Sequence, residues 1–465
     1  MDFLIAEQIN SLSSYKIPIA PLLKKKKQIE MKIKPLFSSL AKEEEIKKLV
    51  ESTQKRLEKN QIQAQMIEEG NLKAKKPNAF YLLTGGTEHL VLDQIQKHKF
   101  DLDEPIFIVS HSKMNSLPAA LEVSARLRRD QRNVSIIHFN DPLNEIDFGY
   151  SYLKNIVSIF QTKKALSNVR IGLFGKPSDW LVNSDLDHIP SQQILKKVFG
   201  IDLIYIPLEK IKKEFVLEQK KDSRNELISR RIIQQEYPHF DPKKLDEYSL
   251  EELKKSVAVS EATRKLVSEY SLQALSLRCF DLLFALKTTG CLSLSQMNDM
   301  GIMASCEGDL PSLYSMILSH LLSESPKIFM ANLQEINPQL NQITFAHCTT
   351  PLSFFDQNYI IRSHFESGIG IAFQGIQNQS SKETEVTVSR FDLKDRKLFA
   401  KKGKLQDSKH NPNMCRTQLQ ISFPKDVFKV ESILENAIAN HHIITKKNIE
   451  EQLLLYHKLF ISNKN

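Results

Sequence analysis

From residue 78 onwards, short apolar runs alternate with stretches of helical spacing. The runs lie at 79–84, 105–110, 134–138, 169–174 and 201–206. Amphipathic spacing follows the first run to about 97 and recurs at 116–129 and 145–162. Short buried strands alternating with helices predict βαβ units and a mainly parallel sheet. The span 208–266 is charged and helical, with Pro238 and Pro242 interrupting it. Helices are expected over 250–277, 292–300 and 310–322, and a strand at 328–330. After about Asn341 the rhythm changes to short strands at 343–346, 370–373, 385–388 and 417–421, and helical periodicity returns only at 448–459. That pattern predicts an antiparallel β-domain, a small barrel.

The fold class expected is therefore α/β, with two parallel-sheet domains followed by a C-terminal antiparallel barrel-like domain. The boundaries are a charged, mostly helical segment 1–76 joining the first domain, then 77–175, 176–342 and 343–465. The early segment carries Lys24-Lys25-Lys26-Lys27 and Glu43-Glu44-Glu45. The lysine run reads as a solvated turn or helix end. Residues 29–57 could supply a first strand and helix to the first domain.

Composition narrows the classes. Of 465 residues, 41% are apolar, enough for sizeable cores, and 26% are charged. The net charge of +9 is about one surplus charge per fifty residues, too dilute to indicate nucleic acid unless clustered. The 14 glycines are about 3% of the chain against a usual ~7%, which disfavours glycine-rich phosphate loops. No apolar run approaches the ~20 residues of a membrane helix. Asp2 and Glu7 stand where a signal or transit peptide carries bases. Five cysteines without a C-x-x-C pair exclude a zinc ribbon and argue against a disulfide framework. A reducing, cytoplasmic setting is the expectation, with no membrane and no nucleic acid.

Several motifs fail. Gly172 to Ser178 resembles a P-loop, but Arg170 and Pro177 occupy required Gly and Ser/Thr positions. Gly368-Ile369-Gly370 lacks its third glycine, and His364-Phe365-Glu366 lacks the P-C-x-x-C of a deaminase. What survives is a density of potential metal ligands near element ends after residue 300. Ser305-Cys306-Glu307-Gly308-Asp309 puts two carboxylates between an apolar segment and a helix with Pro311 near its first turn. Asp309 suits a helix cap, whereas Glu307 belongs to the strand end. His347-Cys348, His364, Glu366 and His441-His442 also lie at element ends. Carboxylate and imidazole together suit a divalent cation such as Mn²⁺ or Mg²⁺, which can polarise a carbonyl and its neighbouring hydroxyl.

These residues resemble the L-fucose and L-arabinose isomerase superfamily, in particular its fucose-isomerase-like members. Eight segments carry the resemblance in family order. They are Thr84-Gly85-Gly86-Thr87-Glu88, Asn115 to Glu122, Pro177-Ser178-Asp179-Trp180-Leu181, Thr289-Gly290-Cys291-Leu292, Ser305 to Asp309, Phe345-Ala346-His347-Cys348 with Pro351, Ser363 to Gly368, and Asn440-His441-His442. The resemblance implies an aldose–ketose isomerase that uses Mn²⁺, or another divalent cation such as Mg²⁺ or Co²⁺, on a small sugar. It also implies a homo-oligomer, a trimer or hexamer. Glu307 matches a metal-binding, proton-transferring carboxylate, supported by Asp309, and His441 or His442 matches a metal ligand. One departure concerns a second acidic ligand: that segment here reads Phe329-Met330-Ala331-Asn332, so Asn332, His347 or Asp309 would take its part. His364 would contact sugar hydroxyls or complete the coordination. Glu88, Asn115 and Trp180 would form a subunit contact or sugar-binding edge. The competing expectation is a non-catalytic sugar- or sugar-phosphate-binding relative that kept the fold.

Overall fold

The computed structural model describes residues 21–67, 76–144, 147–167, 169–183, 192–235, 248–377, 383–406 and 410–462. The acidic N-terminus and the Pro238/Pro242 interruption lie outside the described residues. The chain divides into two compact units, one of 25–165 with 454–465, the other of 1–24 with 166–453.

In the first unit, β1 (Met31–Leu36), β2 (Ala64–Met66), β3 (Ala79–Leu82), β4 (Ile106–His111) and β5 (Val134–Phe139) form one sheet in the order β2-β1-β3-β4-β5. Every pairing is parallel. β3 and β4 are buried along their whole length, as strands covered on both faces must be. Helix Ser116–Arg129 buries Ala119, Ala120, Val123 and Leu127, the spacing of one helical stripe. The charged early segment supplies β1, β2 and helix Glu43–Lys59. Its lysine run ends helix Pro21–Lys27, where Lys26 is buried and donates to Ser158 Oγ at 2.9 Å.

The second unit begins with β6 (Arg170–Phe174), β7 (Asp202–Ile206), β8 (Ala274–Leu277) and β9 (Met303–Cys306), a parallel sheet in the order β7-β6-β8-β9. The helix expected over 250–277 is shorter. It opens on a Ser249–Glu252 capping box, runs Leu250–Glu269, and gives way at Ser271 (φ 52°) to β8. A four-residue apolar run does not distinguish strand from helix by period, and sheet burial decides it here.

The same unit continues with β10 (Ile328–Asn337), β11 (Gln342–His347), the hairpin β12 (Tyr359–Ser363) and β13 (Ile371–Gly375), then β14 (Glu385–Phe391), β15 (Leu398–Gln406), β16 (Thr417–Ser422) and β17 (His441–Thr445). Six of these close an antiparallel barrel in the order β10-β11-β16-β15-β14-β17. Its interior is apolar, with Phe329, Ala331, Ile343, Phe345, Val388, Leu419 and Ile444 packed together. The fold class is thus two parallel sheets with helices and a C-terminal antiparallel barrel. All five cysteines are free and buried. Among the described residues, no helix is long and apolar enough to cross a membrane.

Candidate active site

The site is built where β9 ends. Glu307 (φ 63°) and Gly308 (φ 75°) both take the left-handed conformation, and Asp309 then caps helix Leu310–Ser323 by accepting from the Ser312 amide at 2.9 Å. Left-handed backbone at a non-glycine residue is held only where its surroundings fix it. Here the Ser178 amide donates to the Glu307 carbonyl at 2.8 Å. Gly308 lies so close to the segment after β6 that a Cβ would stand 2.7 Å from Pro177 Cα. The strand end is pinned, and the Glu307 side chain is aimed by it.

Behind Glu307 lies a chain of charged groups. Asp309 and Arg390 of β14 are both buried, with Nη1 to Oδ2 at 3.1 Å and Nη2 to Oδ1 at 3.3 Å. Burial alone would raise the Asp309 carboxyl. Arg390 and the hydrogen bond from His441 outweigh it and hold the group well below the usual carboxylate range. An ionised carboxylate only accepts, so the His441 Nδ1 that lies 2.8 Å from Asp309 Oδ2 carries the proton. His441 Nε2 is left facing Glu307 Oε2 at 3.9 Å. Trp180 Nε1 donates to that same oxygen at 2.7 Å.

The barrel delivers the other groups. β17 starts at His441, which pairs with Asn332 of β10, and Asn332 pairs with Ala346, the residue before His347 at the end of β11. The His347 ring lies 5.6 Å from that of His441. It is buried, shares a hydrogen bond with Thr349 Oγ1 at 2.8 Å, and is kept neutral by burial and then by the nearby His441 and His364. Ligand atoms of Cys306, Glu307 and His347 lie within 4.8 Å of one another. A hydrogen bond with Cys279 and then burial keep the Cys306 thiol protonated, a poor donor to a hard cation. Glu307 and His347 lie close enough to share an ion, and His441 Nε2 stands beside Glu307 at 3.9 Å. A carboxylate oxygen and imidazoles, one oriented by a carboxylate behind it, fit a cation of the Mn²⁺ type.

A cavity of about 600 Å³ opens over these groups, lined by Trp180, Phe280, Glu307, Asn332, Glu366 and His441 among others. Asn332 lines it, but its Oδ1 accepts from Asn440 Nδ2 at 2.9 Å. The structure sends His442 elsewhere. Alternation along β17 turns it into the barrel, its ring 5.7 Å from Phe345 and 5.6 Å from Phe399, and burial pushes it down to about 4. His364 is buried with its ring 5.7 Å from Phe280 and its Nδ1 2.9 Å from Ser367 Oγ. Glu88 and Asn115 belong to the other unit. Glu88 opens helix Glu88–Lys97, and Asn115 (φ 57°) precedes helix Ser116–Arg129.

Two contributors, Phe280 and Arg390, carried no sequence signal. Phe280, whose ring is 5.0 Å from Trp180, looks like any core aromatic. Arg390 lies just beyond the expected strand 385–388 and has no motif around it. Glu366 was visible as one of the potential ligands at element ends, with no role of its own.

No family model matches the chain. Two curated relatives do align with it: the sulfoquinovose isomerases of Priestia aryabhattai and of Priestia megaterium, each 24% identical over 240 residues. The alignment covers 51% of this chain and 50% of theirs, so the chain spans about half the length of the curated relatives it matches.

Proposed function

We propose that this chain is a metal-dependent aldose–ketose isomerase of the fucose and arabinose isomerase type, acting on a sugar or sugar derivative. The observation that carries the reading is the line Arg390–Asp309–His441, which leaves His441 Nε2 3.9 Å from the Glu307 carboxylate at a cavity of sugar size. The two sulfoquinovose isomerases that align with the chain support the same reaction class.

Glu307, His347 and His441 would hold a Mn²⁺-like ion, whose charge would make the proton beside the sugar carbonyl acidic enough to remove. The protein's own part is proton movement and placement. Glu307 is the carboxylate placed to take a proton from one sugar carbon and return it to the next. Asp309, paired with Arg390, keeps the His441 proton on Nδ1. Trp180 fixes one Glu307 oxygen and, with Phe280, forms an aromatic wall suited to the apolar face of a sugar ring.

Trp180 is the only tryptophan in the sequence, so intrinsic fluorescence reports directly on this site. Mn²⁺ should quench it stoichiometrically in the wild type. Glu307→Gln should bind at least 100-fold more weakly and lose turnover of sulfoquinovose, L-fucose or L-arabinose. A folded wild type that ignores Mn²⁺ would sink the proposal. One observation favours a second reading, a non-catalytic sugar-binding relative: the amide of Asn332 stands where the resemblance expects an acid. Mn²⁺ binding without turnover of any sugar would select it.

A further inference from the structure

Aldose–ketose isomerisation moves two protons, one between carbons and one between their oxygens. The cavity holds two carboxylates, Glu307 and Glu366. Glu366 sits on the turn joining β12 to β13, and that turn is well anchored. The Gly368 amide donates to the His364 carbonyl at 2.9 Å, and the His364 amide to the Gly370 carbonyl at 3.2 Å. Arg416 donates to the Ser363 carbonyl at 2.8 Å. Gly370 is pressed against Thr289, where a Cβ would stand 2.7 Å from the backbone nitrogen. On this fixed frame the Glu366 carboxyl itself has no hydrogen bond or ion pair with any described residue. A side chain held by rigid neighbours but left without a partner is available to something that enters the cavity. The other polar groups lining it are committed: His441 to Asp309 and the ion, Asn332 and Asn440 to each other.

We propose that Glu366 is a second catalytic carboxyl, carrying a proton between the two adjacent sugar oxygens while Glu307 serves the two carbons. The inference rests on the isomerase reading and assigns a residue to it that stands in place of the acid missing at Asn332. The steps balance. The Glu307 carboxylate takes the proton from C2 as the Glu366 carboxylic acid gives its own to O1, which makes a neutral enediol. The Glu366 carboxylate then takes the proton from O2 as Glu307 returns its proton to C1. The ketose forms, and both groups end as they began. The first step needs Glu366 in its carboxylic acid form.

The test uses Mn²⁺-loaded wild type, Glu366→Gln and Glu307→Gln in D₂O, with sulfoquinovose, L-fucose and L-arabinose as probes followed by NMR. In Glu366→Gln, turnover should fall by roughly 10²–10³-fold. Mn²⁺ quenching of Trp180 should be unchanged, and deuterium should enter C2 faster than product appears. Glu307→Gln should lose both exchange and turnover. Wild-type turnover matched by Glu366→Gln would overturn the role of Glu366 and leave the isomerase standing. So would loss of Mn²⁺ quenching in Glu366→Gln, which marks a structural role. No exchange or turnover by Mn²⁺-bound wild type on any of the three sugars would overturn the isomerase reading, and this inference with it.

Discussion

Each unit ends one parallel strand with the same backbone device and uses it differently. In the first unit β4 ends at His111, Met114 (φ 55°) and Asn115 (φ 57°) turn left-handed, and helix Ser116–Arg129 begins. In the second, β9 ends at Cys306, Glu307 and Gly308 turn left-handed, and helix Leu310–Ser323 begins. Each turn is locked to the end of another strand's loop: the Gly85 amide donates to the Met114 carbonyl, the Ser178 amide to the Glu307 carbonyl. The difference lies in the histidines. His111 Nδ1 accepts from the Lys113 amide at 3.1 Å, so Nε2 carries the proton and donates to the Leu83 carbonyl at 3.1 Å. Both nitrogens are consumed by the fold. His441 spends one nitrogen on Asp309 and turns the other toward Glu307. Strand ends with strained turns are common places for sites in parallel sheets. What separates a site from a joint is whether the polar groups behind the turn leave an atom over.

Acid should break the two units unequally, and this is the largest effect expected. Burial first of all pushes His111 down to about 4 in the first unit, and His364 and His442 to about 4 in the second. Above about pH 6.5 these side chains are neutral whether folded or not, and they contribute nothing. Between about 6.5 and 4 the unfolded chain takes up protons that the folded chain refuses, so stability falls as pH falls. Each histidine is worth about 3 kcal/mol by pH 4, one in the first unit and two in the second, where neutral His347 adds to the loss and the raised Asp299 carboxyl offsets part of it. Hydrogen exchange on metal-stripped protein should show protection within 166–453 eroding first and furthest. Equal erosion would mean the burial of His364 and His442 is relieved in solution.

Next in size is a pair of glycine substitutions, one on each side of the comparison. Gly308→Ala forces a Cβ onto the Pro177 backbone at a positive φ, and about 3 kcal/mol of stability should be lost, with the aim of Glu307 and its Mn²⁺ affinity lost alongside. Gly86→Ala has the same φ of 75° but nothing nearer than 3.9 Å. It should cost about 1 kcal/mol, the conformational penalty alone. Thermal melts of both variants give the contrast. Equal losses would show that the close approach to Pro177 is not what holds Glu307.

Part of this was legible beforehand. The parallel sheets follow from apolar runs spaced by helical stretches, and Glu307, His347 and His441 were visible as ligand types at element ends. β15 was not, because Lys401, Lys402 and Lys404 interrupt its apolar pattern while the barrel buries only Ala400, Gly403 and Leu405 along it. Arg390 and Asp309 are 81 positions apart, and no local period links them. Glu366 and Glu307 line one cavity although 59 positions of chain separate them. Residue chemistry shows in a sequence, whereas partnership across a barrel closure does not.

The smallest effect isolates one hydrogen bond. Trp180 is half exposed, so its bond to Glu307 competes with water and should contribute below about 1 kcal/mol. Trp180→Phe keeps an aromatic ring against Phe280 and removes only the N–H. Stability should therefore hardly move, since the backbone of the turn is locked by Gly308 and Ser178 and not by the indole. Mn²⁺ affinity, measured by calorimetry because the variant has no tryptophan, should fall only about three- to fivefold as one Glu307 oxygen loses its fixed position. A change in melting temperature with unaltered Mn²⁺ affinity would reverse the assignment. Trp180 would then be a strut like Ser116 in the other turn, which donates to the Leu82 carbonyl and accepts from the His111 amide. The two turns would differ in their histidines alone.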